Sequence, residues 1–138
     1  MQDNALRTLG LARKAQKLAV GEEPAGVACR AGKARLLIVA QDAGEHTLRR
    51  AQSFCRAGKP PYLVVPLEKE ALGGALGMNA CALCAILDAA LAKLFLEQLE
   101  GPEDWAPVLA ELSRQIARTR QRKTEQKAHQ KNVKFGKK

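Results

Sequence analysis

The sequence is poor in aromatic residues and has no apolar run long enough to span a bilayer. Aromatic side chains make up 4% of its 138 residues, so the core of its one expected domain must come from Leu, Ala, Val and Ile. A membrane-spanning helix needs about 20 consecutive apolar residues, and no segment reaches that length. The opening residues, Met1-Gln2-Asp3-Asn4, lack the basic and then apolar layout of a secretory signal. These absences predict a cytoplasmic protein that does not insert into a membrane.

Metal-binding and catalytic patterns are also missing. Cys81 and Cys84 form a CxxC motif, but no second CxxC or His pair completes a four-ligand zinc set. The segment 80–87 is typical of a buried strand, in which residues three apart point to opposite faces, so we expect two diverging core thiols. His46 and His129 have no Cys or Ser partner nearby in sequence, and no GxGxxG or Walker loop is present. We therefore expect no metal, no cofactor and no catalytic site.

Positive charge is what the sequence has in excess. The formal net charge is +9, and from Ser113 onward ten basic residues accompany a single acid, Glu125. Such a run favours a polyanionic partner, most often nucleic acid, with an anionic membrane surface as the rival and a merely solvated tail as the third reading. Arg114, Arg118 and Arg122 would share one face of a helix, where they could hold RNA phosphates without reading sequence.

The apolar pattern alternates between strands and helices. Helices are predicted at about 5–16, 22–31, 45–57, 68–76 and 89–99, and strands at 17–20, 34–40, 62–65 and 81–87. In the first helix, Leu6, Leu9 and Leu11 are expected to face the core. Each crossover is long enough for a βαβ unit, which predicts an α/β fold, a three-layer α/β/α sandwich over a small mixed, largely parallel sheet.

The segment 100–104 is the clearest boundary, separating a domain at 1–100 from a basic C-terminal extension at 101–138. Beyond it, apolar residues recur at helical spacing: Trp105, Val108, Leu109, Leu112 and Ile116. This stripe could dock on the domain or on a partner. After Ile116 the extension is predicted to be disordered or a nascent helix.

Three segments in register carry a family resemblance. They are the GLARKA run at 10–15 with Gly21-Glu22-Glu23, the GKARLLIVAQDA run at 32–43, and the LGGALGMNA run at 72–80. In this order and spacing they resemble the kink-turn-binding ribosomal protein superfamily, of the ribosomal seven-A-e and thirty-e type, and most closely its bacterial YlxQ-like branch. The match covers about residues 6–99. The resemblance implies an α/β/α sandwich that binds a sharply bent RNA, in ribosomal or other structured RNA, with possible ribosome association; we expect a monomer.

The resemblance also assigns site residues. Gly21 matches the glycine that opens the recognition turn, and Glu22 and Glu23 fill the next two places, where many members have a small residue and then Asn. Pro24 stands where those proteins have an acid that reads a guanine, and Val27 where they have a phosphate-binding Lys. The free N–H groups at such a helix start can bind phosphates or base edges.

The loop Met78-Asn79-Ala80 matches the segment that contacts the RNA bulge, and Asn79 could donate a hydrogen bond to RNA. Nearby positive charge is expected from Arg13, Lys14, Lys17, Lys33 and Arg35. We expect the Gly21–Glu23 corner and the Met78–Ala80 loop to lie side by side. Together these two segments are called the recognition surface below.

Two other functions stay open at this stage. Relatives of this fold also serve as protein-interaction adaptors with weak or no specific RNA recognition, and the Trp105–Leu109 stripe would then be the docking element. A small enzyme using Asp42, His46 or Cys84 is the third hypothesis.

Overall fold

The computed structural model describes residues 3–58, 60–99 and 105–136, with the backbone alone for residue 58 and for residues 122–136. The helices are α1 Asp3–Lys14, α2 Glu22–Arg30, α3 Glu45–Gly58, α4 Lys69–Ala75, α5 Ala89–Gln98 and α6 Ala106–Gly136. The strands are β1 Leu18–Val20, β2 Leu36–Ala40, β3 Tyr62–Val65 and β4 Leu83–Ile86. The predicted elements are all present, and no end is shifted by more than two residues.

The strands form one mixed sheet in the order β1-β4-β2-β3. Only β2 and β3 pair in parallel, because β4 runs antiparallel to both of its neighbours. The prediction of a largely parallel sheet is therefore wrong. The chain does not cross the sheet after β3: the N–H of Cys81 donates to the carbonyl of Lys69 at 2.9 Å, so α4 returns the chain to the edge where β3 ended.

Helices cover both faces of the sheet, which confirms the three-layer sandwich. One core cluster joins α1, α4 and α5 to the sheet through Leu9, Leu72 and Phe95. The opposite cluster joins α2 and α3 through Cys29 and Phe54. Strand β2 is buried along its whole length, with alternate residues in the two clusters. This explains its continuous apolar run, since a central strand must be apolar on both faces.

The core-facing side of α1 differs from the prediction at one residue. Leu9 is fully buried and Leu6 packs against the core, but Leu11 is 60% exposed. The buried face consists of Ala5, Thr8, Leu9 and Ala12, which follow the i, i+3, i+4, i+7 spacing of a helix. Leu11 lies two residues from Leu9 and therefore on the other side of the helix.

The C-terminal extension begins with a segment that belongs to the core. Trp105 and Leu112 are buried in the same cluster as Leu9, and Val108 and Leu109 pack against that cluster. The apolar stripe thus docks on the domain along α5. The backbone then continues as helix to Gly136, in agreement with the helical alternative and not with disorder.

Candidate RNA-binding surface

Four loops meet at one edge of the sheet, where β1, β2 and β3 end and β4 begins. The pairs Val20 with Cys84 and Val39 with Leu83 place the ends of β1 and β2 beside the start of β4. Backbone hydrogen bonds connect the loops that follow, with the N–H of Gly21 donating to Leu83 at 3.0 Å. We call this the recognition edge, because both predicted segments lie on it.

The corner at Gly21 depends on a backbone conformation that glycine alone adopts readily. Gly21 has φ 94° and ψ 168° and occupies the N-cap position of α2. No side chain caps this helix. The next two residues, Glu22 and Glu23, therefore present N–H donors that a ligand can use, whereas Pro24 has no N–H to offer.

Two other glycines shape the loop at Met78–Ala80. Gly77 has φ 72°, and the N–H of Met78 donates to the carbonyl of Gly73 at 2.8 Å, so the chain folds back over the end of α4. The loop rests directly on the helix backbone, because a Cβ atom at Gly73 would lie 2.7 Å from Ala80. Met78, Asn79 and Ala80 are all exposed. The loop thus presents its side chains to solvent from a well-defined base.

The corner and the loop are neighbours in space, as expected. The N–H of Gly21 and the thiol of Cys81, which directly follows the loop, both donate to the carbonyl of Leu83, at 3.0 Å and 3.4 Å. The Arg13 side chain also reaches the loop, since a Cβ atom at Gly77 would lie 3.7 Å from its guanidinium. One continuous surface therefore combines an uncapped helix start, an exposed loop and a positive charge.

One of the two acids at the corner is neutralised by α3. The Glu22 carboxylate lies 3.1 Å from Nε of Arg50 and accepts a hydrogen bond from the Thr47 hydroxyl at 3.2 Å. Arg50 in turn lies over the ring of Phe54, 5.4 Å from its centroid. Glu23 and Pro24 are exposed, and Val27 is 57% exposed. The repulsion that two adjacent acids would exert on phosphate is thereby reduced to that of Glu23.

Three of the predicted basic residues lie away from this surface. Lys17 and Arg35 precede β1 and β2, and their backbones bond to Leu87 and Ile86 at the end of β4. Lys33 follows α2 and bonds back to its last turn. All three are exposed, but at the edge of the sheet opposite the recognition edge. The expectation that they supply charge near Gly21 is wrong, because residues that precede these strands lie a strand length away from residues that follow them. Lys14 is exposed in the last turn of α1.

The arginines of the extension do not project freely. Nη2 of Arg114 and Nη2 of Arg118 lie 2.6 Å and 3.2 Å from the carboxylate of Glu111. Hydrogen bonds from Arg114 and Gln115 hold the pKa of Glu111 below its usual value. Arg118 and Arg35 also line one cleft. The side chain of Arg122, the third predicted member of this face, lies outside the described residues.

The two cysteines of the CxxC motif meet instead of diverging. Cys81 lies before β4, and the bend at Ala82 breaks the strand alternation, so both side chains enter the same core cluster. Their hydrogen bond lowers the pKa of Cys81 to about 7 and raises that of Cys84, which is also fully buried. Within the described residues, no group of three His, Cys, Asp or Glu side chains could hold a metal ion.

The structure also places the residues of the alternative functions. Trp105 is buried in the core, so it is not open to a partner protein. Asp42 accepts a hydrogen bond from the N–H of Lys69 at 2.8 Å, and His46 is exposed on α3. Cys84 is fully buried and cannot reach a substrate.

Sequence reasoning missed two contributors to this surface. Arg50 neutralises Glu22 from another helix, and Gly73 allows the loop to approach α4. The pairing of Arg50 with Glu22 spans 28 positions and has no local signal. The glycine pair at Gly73-Gly74 inside a short helix was a signal for a close backbone approach.

The fold and the site define a small α/β/α sandwich protein whose candidate site is built from loops at one edge of a mixed sheet. A sequence model of the Ribosomal protein L7Ae/L30e/S12e/Gadd45 family matches residues 3–95. This is more than half of the chain, and the protein belongs to this family. The resemblance found from the motifs is thereby confirmed.

Individual relatives agree with this assignment. The RNA-binding protein YlxQ of Bacillus subtilis (strain 168) is 29% identical over 92 residues, which are 67% of this chain and 91% of that protein. A protein with unknown function from Bacillus halodurans C has a structure with a TM-score of 0.62 at 30% identity, covering 70% of this chain and 97% of that one. The Giardia lamblia 15.5kD RNA binding protein gives a TM-score of 0.54 at 25% identity, covering 67% and 79%.

Proposed function

We propose that this protein binds structured RNA through the recognition surface, and that kink-turn elements of ribosomal or other structured RNA are its preferred ligands. Two of the similar proteins are named as RNA-binding. The observation that carries the proposal is the backbone hydrogen bond from the Gly21 corner to Leu83, at the start of the strand that the Met78–Ala80 loop leads into. A protein that binds a sharply bent RNA strand needs one contact to the RNA backbone and a second contact, close by, to the unstacked bases at the bend.

The corner supplies hydrogen-bond donors for the RNA backbone. The N–H groups of Glu22 and Glu23 lie at the positive end of α2, which no side chain caps. The ion pair with Arg50 holds the Glu22 carboxylate against α3. A phosphate that approaches these N–H donors is therefore repelled mainly by one carboxylate, that of Glu23.

The loop supplies contacts for bases. Met78 is 42% exposed, and an exposed apolar side chain can pack against an unstacked base. Asn79 offers an amide that can donate to a base or phosphate, and Arg13 adds a cation beside Gly77. Pro24 has no side-chain acceptor for a guanine, so we expect the preference for a kink-turn over other bent RNA to be modest.

We further propose that the protein works as a monomer in the cytoplasm, with possible association with the ribosome. The strongly basic composition favours an RNA partner over a neutral one. No described helix has the length and apolar character of a membrane span.

An electrophoretic shift assay tests the proposal with a kink-turn hairpin and a matched hairpin whose sheared G·A pairs are replaced by Watson–Crick pairs. We expect tighter binding to the kink-turn, and we expect Asn79→Ala and Arg13→Gln to reduce that difference. Asn4→Ala and Arg7→Gln make the same two kinds of substitution at exposed positions in the first half of α1 and serve as matched controls. Equal binding to the two hairpins would exclude a preference for kink-turns. If neither Asn79→Ala nor Arg13→Gln changed RNA binding, the recognition surface would be excluded as the RNA-binding site.

A further inference from the structure

The edge of the sheet opposite the recognition edge carries its own basic surface, which forms only because α6 docks on the domain. Arg35 at the start of β2 and Arg118 on α6 line one cleft of about 200 Å³, together with Gln115 and Thr119. Lys17 lies at the same edge, where its carbonyl accepts a hydrogen bond from Leu87. We call Arg35, Arg118 and this cleft the composite surface.

Charge at the composite surface is only partly balanced by nearby acids. None of the four side chains that line the cleft is acidic. The Glu111 carboxylate is shared between Arg114 and Arg118, and among the described residues no ion pair joins Arg35 to a carboxylate. Three arginines, Arg35, Arg114 and Arg118, therefore stand against one carboxylate, and the resulting net positive charge favours an anion at the cleft. Arginine is also the residue whose planar donors best match phosphate oxygens.

We propose that the composite surface binds a second RNA backbone segment, so that the protein holds two RNA segments at opposite edges of its sheet. The inference rests on the proposed function only in taking RNA as the ligand. The two surfaces are separated by the length of the strands, about 3.3 Å per residue, and therefore cannot act as a single phosphate site. Contacts of this kind fix position without reading sequence.

Salt dependence provides the first test, with the full chain and a mixed-sequence RNA duplex as the probe. The slope of log K against log salt is negative, and the double variant Arg35→Gln/Arg118→Gln should make it shallower by about 1.4 to 1.8, or 0.7 to 0.9 per lost phosphate contact. Arg49→Gln/Arg56→Gln removes the same charge from exposed positions on α3 and should leave the slope nearly unchanged. Equal effects of the two double variants would overturn the proposal, since only net charge would then matter.

A gain of affinity provides the second test. Glu111→Gln frees two arginines at once and should tighten binding to the same duplex by about two- to fivefold, the range that exposed ion pairs allow. The matched control is Glu45→Gln, which removes the same charge and frees Arg49 on α3, where the pair is 3.7 Å apart. A gain from Glu45→Gln as large as that from Glu111→Gln would contradict the composite surface.

Simultaneous binding separates this inference from the proposed function. With a kink-turn hairpin and a fluorescent duplex, the wild type should form a ternary complex. The Arg35→Gln/Arg118→Gln variant should lose the duplex and keep the hairpin, whereas Asn79→Ala should weaken the hairpin and keep the duplex. If the hairpin alone fails to bind, the proposed ligand is wrong and the second site stands. If the hairpin displaces the duplex, the two surfaces are not independent and the inference is wrong.

An anionic membrane is the rival ligand, and vesicles of phosphatidylglycerol test it. The inference fails if Arg35→Gln/Arg118→Gln abolishes sedimentation with these vesicles but leaves RNA affinity and its salt slope unchanged.

Discussion

Gly73 lies directly beneath Ala80, so closely that a Cβ atom at Gly73 would be 2.7 Å from both the Cα and the N of that residue. The neighbouring Gly74 has no such contact, because a Cβ atom there would meet nothing within 4 Å. The two adjacent glycines of α4 therefore differ in whether the space around them can hold a side chain. Only the first allows the Met78–Ala80 loop to rest on the helix.

We expect Gly73→Ala to push the loop away from α4, at a cost of about 1–3 kcal/mol in the free energy of unfolding. RNA affinity should fall with it. Gly74→Ala should instead stabilise the protein by up to about 1 kcal/mol, because alanine has the higher helix propensity. Thermal unfolding and RNA titration of both variants check the prediction. Identical behaviour of the two would show that the close approach does not shape the loop.

The ion pair between Glu22 and Arg50 gives a second prediction. Arg50→Gln should leave the Glu22 carboxylate free to repel phosphate and should weaken RNA binding by up to about fivefold. Arg49→Gln, one position earlier, removes the same charge from a side chain 78% exposed and should have a smaller effect. Glu22→Gln should restore affinity in the Arg50→Gln background, because the carboxylate that the loss of Arg50 leaves free is then absent. Filter binding at constant salt measures all four proteins.

Docking of α6 can be tested through its buried leucine. Leu112 is fully buried against the core, and Leu112→Ala should destabilise the protein by about 2–5 kcal/mol. Leu94→Ala, at a leucine that is 42% exposed, is the control and should cost far less. Trp105, the single tryptophan, reports on the same junction by fluorescence. If its transition precedes the loss of helical circular dichroism in the wild type, α6 is not part of the cooperative unit.

The contact between Cys81 and Cys84 predicts an unusual thiol titration. Ultraviolet thiolate absorbance of the folded protein should show one group with a pKa of about 7, against the ordinary 9.0. Cys84→Ala removes the main cause and should move this pKa upward, whereas Cys84→Ser keeps a donor and should hold it low. Cys29→Ala is the control and should leave it in place. A single titration near 9.0 in the wild type would show that the contact is absent.

The same shift has a consequence for stability against pH. The folded pKa of Cys81 lies below its ordinary value, so the thiolate stabilises the folded state. This contribution is full above pH 9.0 and is lost as the pH falls through about 7. The raised pKa of Cys84 acts in the opposite direction at high pH. Denaturant unfolding between these limits should therefore show the wild type gaining stability relative to Cys81→Ala as the pH rises.

Local patterns predicted the elements well, because their causes are local. Strand β3 has the bounds that its apolar run indicated, and the continuous run of β2 correctly placed that strand at the centre of the sheet. The direction of β4 has a different origin, since it depends on a hydrogen bond between Cys81 and Lys69 that no periodicity encodes. Cys81 and Cys84 are buried in the core as expected, but their predicted divergence was wrong for a related reason. Strand alternation applies only inside a strand, and Cys81 precedes it.

The candidate site was predictable where a backbone feature marked it and not where charge alone did. Gly21 needs its positive φ, so a glycine in that position identifies the corner. Lys17 and Arg35 are charged, but their charge alone does not indicate at which edge of the sheet they lie. Their order relative to the strands was the usable signal, because residues before β1 and β2 lie opposite residues after them. The pairing of Arg118 with Glu111 depends on the length and docking of α6, which composition does not reveal.

The sheet order also limits self-association. Strands β1 and β3 are the two outer strands of the sheet, and such strands are where sheets of different molecules join. β1 is three residues long, and β3 is bounded by Pro61 and Pro66, which offer no N–H for a neighbouring chain. Val64 is 46% exposed on β3 and would otherwise favour such joining. A protein stored at high concentration without its ligand should therefore resist growth into β-aggregates from either side.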